Sequence, residues 1–119
     1  MKLEDIYQFF NDPPPIYLNR ELAVCYVLDI LLQKESYGTE LVEQLTENHP
    51  QYRLSDTVLY KALKFLEESG VIKGYWRKLK KRGRPRKMYK ILPEQQSLAE
   101  ELADFWRNYI AQQSQIRHS

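Results

Sequence analysis

Apolar residues recur at helical spacing in five stretches of the chain, and the first of these ends at a run of prolines. Its apolar positions are Leu3, Ile6, Phe9 and Phe10. Asp12 and the three prolines after it stop the helix, because proline lacks a backbone N–H and restricts the residue before it. The pattern predicts an N-terminal arm over residues 1–18, which packs either on its own core or on a partner subunit.

Two helices are predicted in the next thirty residues of the pattern. The stretch Glu21–Leu32 is apolar on nearly every side, so a helix there is expected to be central and buried. Asn19 is the residue type that caps the start of such a helix. A second helix is predicted from a cap at Ser36 to Asn48, with its apolar residues on one side.

A third helix is predicted over residues 55–69, with Ser55 as its cap and Gly70 as its left-handed stop. One stripe of this helix is apolar and is expected to face the core: Leu59, Ala62, Leu63 and Leu66. The opposite stripe is polar and basic: Thr57, Tyr60, Lys61 and Lys64. Such a stripe is either an ordinary solvated helix face or a binding surface.

A β-hairpin with a long tip is predicted after the third helix. Residues 71–77 contain Val, Ile, Tyr and Trp, which favour strands. Residues 88–92 form a second, short apolar run of the kind that strands show. Gly83 and Pro85 argue against regular structure in the tip between them.

The last helix is predicted to begin at Pro93 and Glu94 and to carry a wide apolar stripe. The stripe consists of Leu98, Leu102, Phe105, Trp106, Tyr109 and Ile110. Three helices and a hairpin already supply a core, so this stripe needs a further surface, and a second copy of the chain is the simplest one. The stripe is therefore predicted to be a homodimer interface.

The order of these elements predicts a mainly α fold with a small β-hairpin, in the α+β class. A winged helix-turn-helix is expected over residues 19–92 and a C-terminal dimerisation helix over residues 93–119.

The distribution of charge along the chain indicates which class of partner this fold binds. The segment Lys73–Lys90 holds ten basic residues and no acidic one, whereas the other 101 residues hold 8 basic and 16 acidic groups. A cationic hairpin on an anionic body predicts a polyanionic partner. Duplex DNA fits, because a helix enters its major groove while a basic wing contacts phosphates or the minor groove.

Three sets of residues are predicted to contact double-stranded DNA. The recognition-helix set is Ser55, Thr57, Tyr60, Lys61 and Lys64. The wing set is Lys78, Lys80, Lys81, Arg82, Arg84, Arg86 and Lys87. Tyr37 and Thr39, at the start of the second helix, are predicted to contact the DNA backbone.

Other classes of function have little support in the sequence. The 119 residues contain no phosphate-cradling glycine loop, no nucleophile elbow and no H-E-x-x-H motif, so no catalytic residue and no cofactor is expected. One cysteine and two distant histidines form no metal-binding pattern. No segment has the length and apolarity of a membrane span or a signal sequence, so we expect a cytoplasmic protein without membrane association.

The chain resembles the PadR-like transcriptional regulators in three ordered motifs: Y-G-x-E-L from Tyr37, L-Y-x-A-L-x-x-L-E-x-x-G-V-I from Leu59, and G-R-x-R-K-x-Y from Gly83. The resemblance implies a winged-helix domain, a C-terminal dimerisation helix and binding to inverted-repeat operators, usually as a repressor. It also implies one alternative, a regulator that responds to small aromatic effectors at the dimer interface near Trp106. A second alternative is a winged-helix module that binds proteins. The chain departs from the family by having Leu92-Pro93-Glu94-Gln95 where many members have Thr and Gly.

Overall fold

Five helices and five short strands make up the part of the chain that the computed structural model describes, residues 1–78 and 83–118 with side chains as far as residue 113. The helices are α1 (Leu3–Asn11), α2 (Arg20–Gln33), α3 (Gly38–Asn48), α4 (Asp56–Glu68) and α5 (Gln96–His118), the last preceded by a 3-10 turn at Pro93–Gln95. The strands are β1 (Ile16–Tyr17), β2 (Ser36–Tyr37), β3 (Tyr52–Arg53), β4 (Ile72–Arg77) and β5 (Arg86–Ile91). The mainly α fold with a small sheet is confirmed.

Helix α2 is the centre of the core, as its apolar sequence predicted. Its first turn is capped by Asn19, whose side-chain oxygen accepts from the backbone N–H of Leu22 at 2.8 Å. It packs between α4 and α5, and burial is complete for Val27 and Leu28. Tyr26 donates its hydroxyl to the Leu41 carbonyl at 2.6 Å, which ties α2 to α3. Burial raises the pKa of Tyr26, so this donor keeps its proton.

The helix-turn-helix consists of α3 and α4. Helix α4 has the predicted ends: Ser55 Oγ accepts from Val58 N at 3.2 Å, and Gly70 follows the helix with φ of +74°. The predicted cap of α3 is wrong. Ser36 is fully buried in β2, where it pairs with Tyr89 and donates its hydroxyl to Glu40 at 2.6 Å. Pairing with β5 keeps Ser36 extended, so the N-cap is Tyr37 and α3 begins at Gly38, one residue later than a cap at Ser36 would give.

The wing comprises β4, β5 and their connection. These two strands are antiparallel, with Trp76 opposite Lys87, and β2 adds a third strand on the other side of β5. Strand β5 begins at Arg86, two residues before the position expected from its apolar run. A side-chain hydrogen bond from Tyr75 to Glu35 joins the outer strand to the turn between α2 and β2 and raises the pKa of the tyrosine.

Helix α5 packs along α2 of its own chain. Ala99, Ala103 and Trp106 are fully buried in this contact, and Arg107 reaches Asp29 of α2 at 2.8 Å. Trp106 is therefore a core residue of the single chain, and its predicted place in the dimer interface stays a prediction. Its ring has 0% exposure and packs against Tyr26, with ring centroids 5.4 Å apart.

The other stripe residues of α5 remain at least partly accessible. Leu98 and Phe105 are exposed, the latter by 58%, and the half-buried members are Leu102, Tyr109 and Ile110. These side chains lie beside the buried face of the helix, so α5 serves its own core and still presents an apolar strip.

The N-terminal arm is attached through β1, which pairs in parallel with β3. All of its residues from 1 to 17 are exposed, and Leu18 is the first to enter the core. Among the described residues, no helix combines the length and apolarity needed to cross a lipid bilayer.

Candidate nucleic-acid interface

A cleft of about 680 Å³ lies between the start of α3, the helix α4 and the wing. Six of the residues predicted from sequence to contact DNA line it: Tyr37, Thr39, Tyr60, Arg84, Arg86 and Lys87. They come from three separate segments of the chain. The fold thus brings the two predicted backbone contacts, one recognition-helix residue and three of the seven predicted wing residues to one surface.

Arg86 is held in place at this cleft by an aromatic ring. Its guanidinium carbon lies 3.8 Å from the centroid of the Tyr37 ring, within the range of a cation–π contact. The contact follows from the pairing of β2 with β5, which sets Tyr37 opposite Met88, two residues from the arginine. A guanidinium ordered in this way loses less conformational entropy when it binds a phosphate.

Lys87 is engaged by its own chain. Its ammonium lies 3.5 Å from the Glu67 carboxylate on α4 and 5.4 Å from the ring centroid of Tyr89. Gly74 lies beneath this side chain, because a Cβ there would be 2.6 Å from Lys87 Cε. Burial raises the pKa of Tyr89, against the opposing effect of the Lys87 charge, so the phenol stays neutral. We therefore expect Lys87 to contribute less to anion binding than the two arginines.

The polar stripe of α4 is open, as predicted. Thr57, Lys61 and Lys64 are exposed, with the Lys64 ammonium 3.9 Å from Glu68 on a solvated surface where such a pair contributes little. Tyr60 is 56% exposed and connects this stripe to the cleft. Its hydroxyl lies over Gly38, where an added Cβ would be 3.1 Å away.

Ser55 caps α4, as the sequence predicted, in addition to its predicted contact with DNA. Because its hydroxyl caps α4, Ser55→Ala is expected to lower the free energy of unfolding by about 1 kcal/mol. Urea denaturation measures this change. Ser69→Ala, at the exposed other end of the same helix, is the matched control and should change stability by less than about 0.5 kcal/mol. Equal effects of the two variants would contradict the capping role.

The wing tip is described only in part. Lys78 and Arg84 are exposed at the ends of the two strands, on either side of the tip. Lys80, Lys81 and Arg82 lie outside the described residues. Their assignment to DNA binding therefore stays a prediction from sequence.

Trp76 is a candidate contact that the sequence prediction missed. It lines the cleft and is 68% exposed, which is unusual for a tryptophan on a strand of a folded sheet. The composition of residues 71–77 predicts a strand and gives no sign of a contact with DNA. Alternation along β4 sets Trp76 on the same face as Ile72 and Gly74 but farther toward the tip, beyond the reach of the core. Glu43 of α3, an acid, also lines the cleft and was not among the predicted contacts.

The chemistry of the cleft suits a phosphodiester chain. Arg84, Arg86 and Lys87 provide positive charge, and the exposed rings of Tyr60 and Trp76 provide surfaces for sugars or bases. Cations bind the phosphate groups of a nucleic acid. Aromatic rings contact its sugars and bases without specificity for one sequence. The open stripe of α4 lies next to this cleft and is available to base edges.

Comparison with known proteins agrees with this geometry. The model of the transcriptional regulator PadR-like family matches residues 27–101, which run from α2 into α5. Comparison with curated protein sequences gave no match. The chain is similar to several solved structures.

One is the circadian clock associated protein Pex from Anabaena, at 62% identity, covering 96% of this chain and 99% of that chain with a TM-score of 0.86. Another is Pex from Synechococcus sp., at 55% identity, covering 92% of this chain and 98% of that chain with a TM-score of 0.88. A third is a PadR family transcription regulator from Clostridium difficile, at 27% identity, covering 80% and 96% with a TM-score of 0.59. The chain therefore belongs to the PadR-like family of transcriptional regulators, which bind DNA.

Proposed function

We propose that the protein is a homodimeric, sequence-specific repressor that binds an inverted-repeat operator in double-stranded DNA. One observation carries the proposal: cationic and aromatic side chains from β2, α4 and the wing line a single cleft beside the open stripe of α4. Three segments far apart in the sequence contribute to this surface. Such convergence favours a binding surface, because ordinary solvated charges need not lie together.

In this proposal α4 enters the major groove. Thr57, Lys61 and Lys64 reach base edges or flanking phosphates, while Tyr60 bridges to the cleft. The DNA backbone passes through the cleft, where Tyr37, Thr39 and the ordered guanidinium of Arg86 contact phosphate and sugar. Arg84 at the tip extends to the adjacent minor groove, where narrow A·T-rich DNA attracts arginine.

The dimer is proposed from the apolar strip of α5. Leu98 and Phe105 are too exposed to serve the core of one chain, and a two-fold axis beside them would let each copy cover the other. Two recognition helices would then read half-sites about 10 base pairs apart, or a multiple of that spacing. Repression is proposed because the PadR-like family, to which the chain belongs, consists mainly of repressors.

The regulated gene is proposed to belong to circadian timing. The similarity to the circadian clock associated protein Pex from Anabaena extends over nearly the whole of both chains, which supports a shared role. Measuring the period of a clock-controlled reporter with and without the gene tests this point. An unchanged period would contradict it.

Trp76 gives a direct signal of DNA binding. Adding duplex DNA is expected to quench its fluorescence, because the ring is exposed in the cleft that the backbone is proposed to occupy. The signal should weaken as salt rises, since each phosphate contact releases counterions. Fluorescence titration at several salt concentrations measures both effects.

The matched control is Trp76→Phe, which leaves only the buried Trp106 as a tryptophan. Its residual emission should not respond to DNA. A wild-type signal that DNA leaves unchanged would contradict the proposed path of the backbone through the cleft.

A further inference from the structure

Helix α1 has an apolar face that its own chain leaves uncovered. Leu3 and Phe10 are each 76% exposed, and Ile6 and Tyr7 lie on the same face. A hydrogen bond from Lys2 N to Asp5 at 2.8 Å stabilises the first turn. A nine-residue helix is nevertheless too short to persist in water without packing. The helix therefore needs a surface that the single chain does not supply.

The arm is attached next to the apolar strip of α5. Strand β1 pairs with β3, and the ring of Tyr52 in β3 lies 5.8 Å from that of Trp106 and 6.3 Å from that of Tyr109, centroid to centroid. Tyr109 is itself a member of the strip. The link of residues 12–15 spans at most about 14 Å and contains three prolines, so it is short and stiff. The arm thus leaves the body close to the surface proposed as the dimer interface.

The body that carries the arm does not cover it, because α1 has no buried residue and residues 1–17 are all exposed. A single chain therefore has two unpartnered apolar surfaces, the face of α1 and the strip of α5. A two-fold dimer allows each surface of one copy to meet the other surface of its partner, so that both contacts form twice.

We infer that α1 docks on the apolar strip of α5 in a second copy of the chain, so that the two copies exchange their arms. This inference rests on the proposed homodimer and adds how it is held together. Each arm contributes four large apolar side chains, two of them aromatic rings of about 150–250 Å². Two arms and two strips together reach the range of about 1,200–2,000 Å² that stable interfaces bury.

Two variants separate this arrangement from one in which each arm folds back on its own chain. The arm variant carries Ile6→Asp and Phe10→Asp, and the strip variant carries Leu98→Asp and Phe105→Asp. All four side chains are exposed in the single chain, so the fold should survive, and circular dichroism checks this. The matched control carries Gln8→Asp and Asn11→Asp, which add the same charge to the polar face of α1.

Sedimentation over a concentration series gives the dimer dissociation constant. We expect it to rise at least about 100-fold in the arm variant and in the strip variant, and to stay within about threefold of wild type in the control. Mixing the two variants in equal amounts should restore dimers. In the mixed dimer, the intact arm of the strip variant meets the intact strip of the arm variant, whereas neither variant alone can form any whole contact.

The outcomes distinguish failure of the arm exchange from failure of the homodimer itself. An arm variant that dimerises like wild type overturns arm exchange and leaves the homodimer standing. Variants that lose dimerisation but are not restored by mixing overturn exchange in favour of an arm that packs on its own chain. A wild-type chain that is monomeric at every concentration overturns the proposed homodimer together with the exchange.

Discussion

Replacing Arg84 and Arg86 together by glutamine is expected to lower the affinity for duplex DNA by about 100-fold. Each charge-assisted hydrogen bond to phosphate is worth about 1.5–3 kcal/mol, and 1.4 kcal/mol corresponds to a factor of ten. Both arginines line the cleft, and Arg86 is ordered over Tyr37. Fluorescence anisotropy with a labelled duplex measures the change. The slope of log affinity against log salt should also become less negative by about 2.

The matched control replaces Lys73 and Lys90 by glutamine. These two lysines occupy opposite positions on β4 and β5 at the base of the same hairpin, and neither lines the cleft. Their replacement removes the same two positive charges. We expect affinity to fall by less than about fivefold. Equal losses in the two double variants would mean that only net charge matters. No loss in the arginine variant would favour a winged-helix module that binds proteins.

Replacing Trp106 by alanine is expected to lower the free energy of unfolding by about 3–5 kcal/mol, a large part of the stability of a small domain. The ring is fully buried where α5 meets α2, with Tyr26, His49 and Tyr52 around it at centroid distances of 5.4–5.8 Å. Its removal opens a cavity that several rigid rings cannot fill. Urea denaturation at several protein concentrations measures the effect.

Two comparison variants make this experiment specific. Trp106→Phe should be less harmful, because it keeps a ring and removes an indole N–H that has no hydrogen-bond partner among the described residues. Phe105→Ala, on the exposed strip, should change the stability of the monomer by about 0.5 kcal/mol and lose stability mainly where dimers form. If Trp106→Ala changed the free energy of unfolding only slightly and in a concentration-dependent way, Trp106 would instead belong to the subunit interface.

The buried position of Trp106 also bears on aromatic effectors. A ligand held between dimer-related indoles requires those rings to be accessible, and this ring has 0% exposure. The family resemblance alone could not reveal this, because the neighbours that cover Trp106 come from α2 and β3.

Local signals predicted much of the fold. The caps at Asn19 and Ser55 and the left-handed Gly70 mark their helices because each acts within three residues of its position. The predicted cap at Ser36 was wrong because the local signal omits a distant contact. Ser36 has the side chain of a cap, but its backbone pairs with a strand fifty residues later. Two-residue strands such as β2 are too short to show alternation.

The candidate site was predictable in its chemistry and less so in its arrangement. A segment with ten basic residues among its eighteen positions, Lys73–Lys90, identifies the wing without any knowledge of tertiary structure. The pairing of Lys87 with Glu67 and the stacking of Arg86 on Tyr37 depend on which elements meet, which spacing along the chain does not reveal. Trp76 was missed because a tryptophan in a strand pattern is normally a core residue, and only the sheet register shows that the core ends before it.

Selection of bound fragments from random duplex DNA, followed by sequencing, tests the central claim most directly. The account predicts an inverted repeat whose half-sites are centred about 10 base pairs apart, or a multiple of that distance, since two α4 helices related by a two-fold axis read it. Flanking A·T-rich positions should mark the wing. Recovery of unrelated fragments with no shared sequence would contradict sequence-specific binding by this protein.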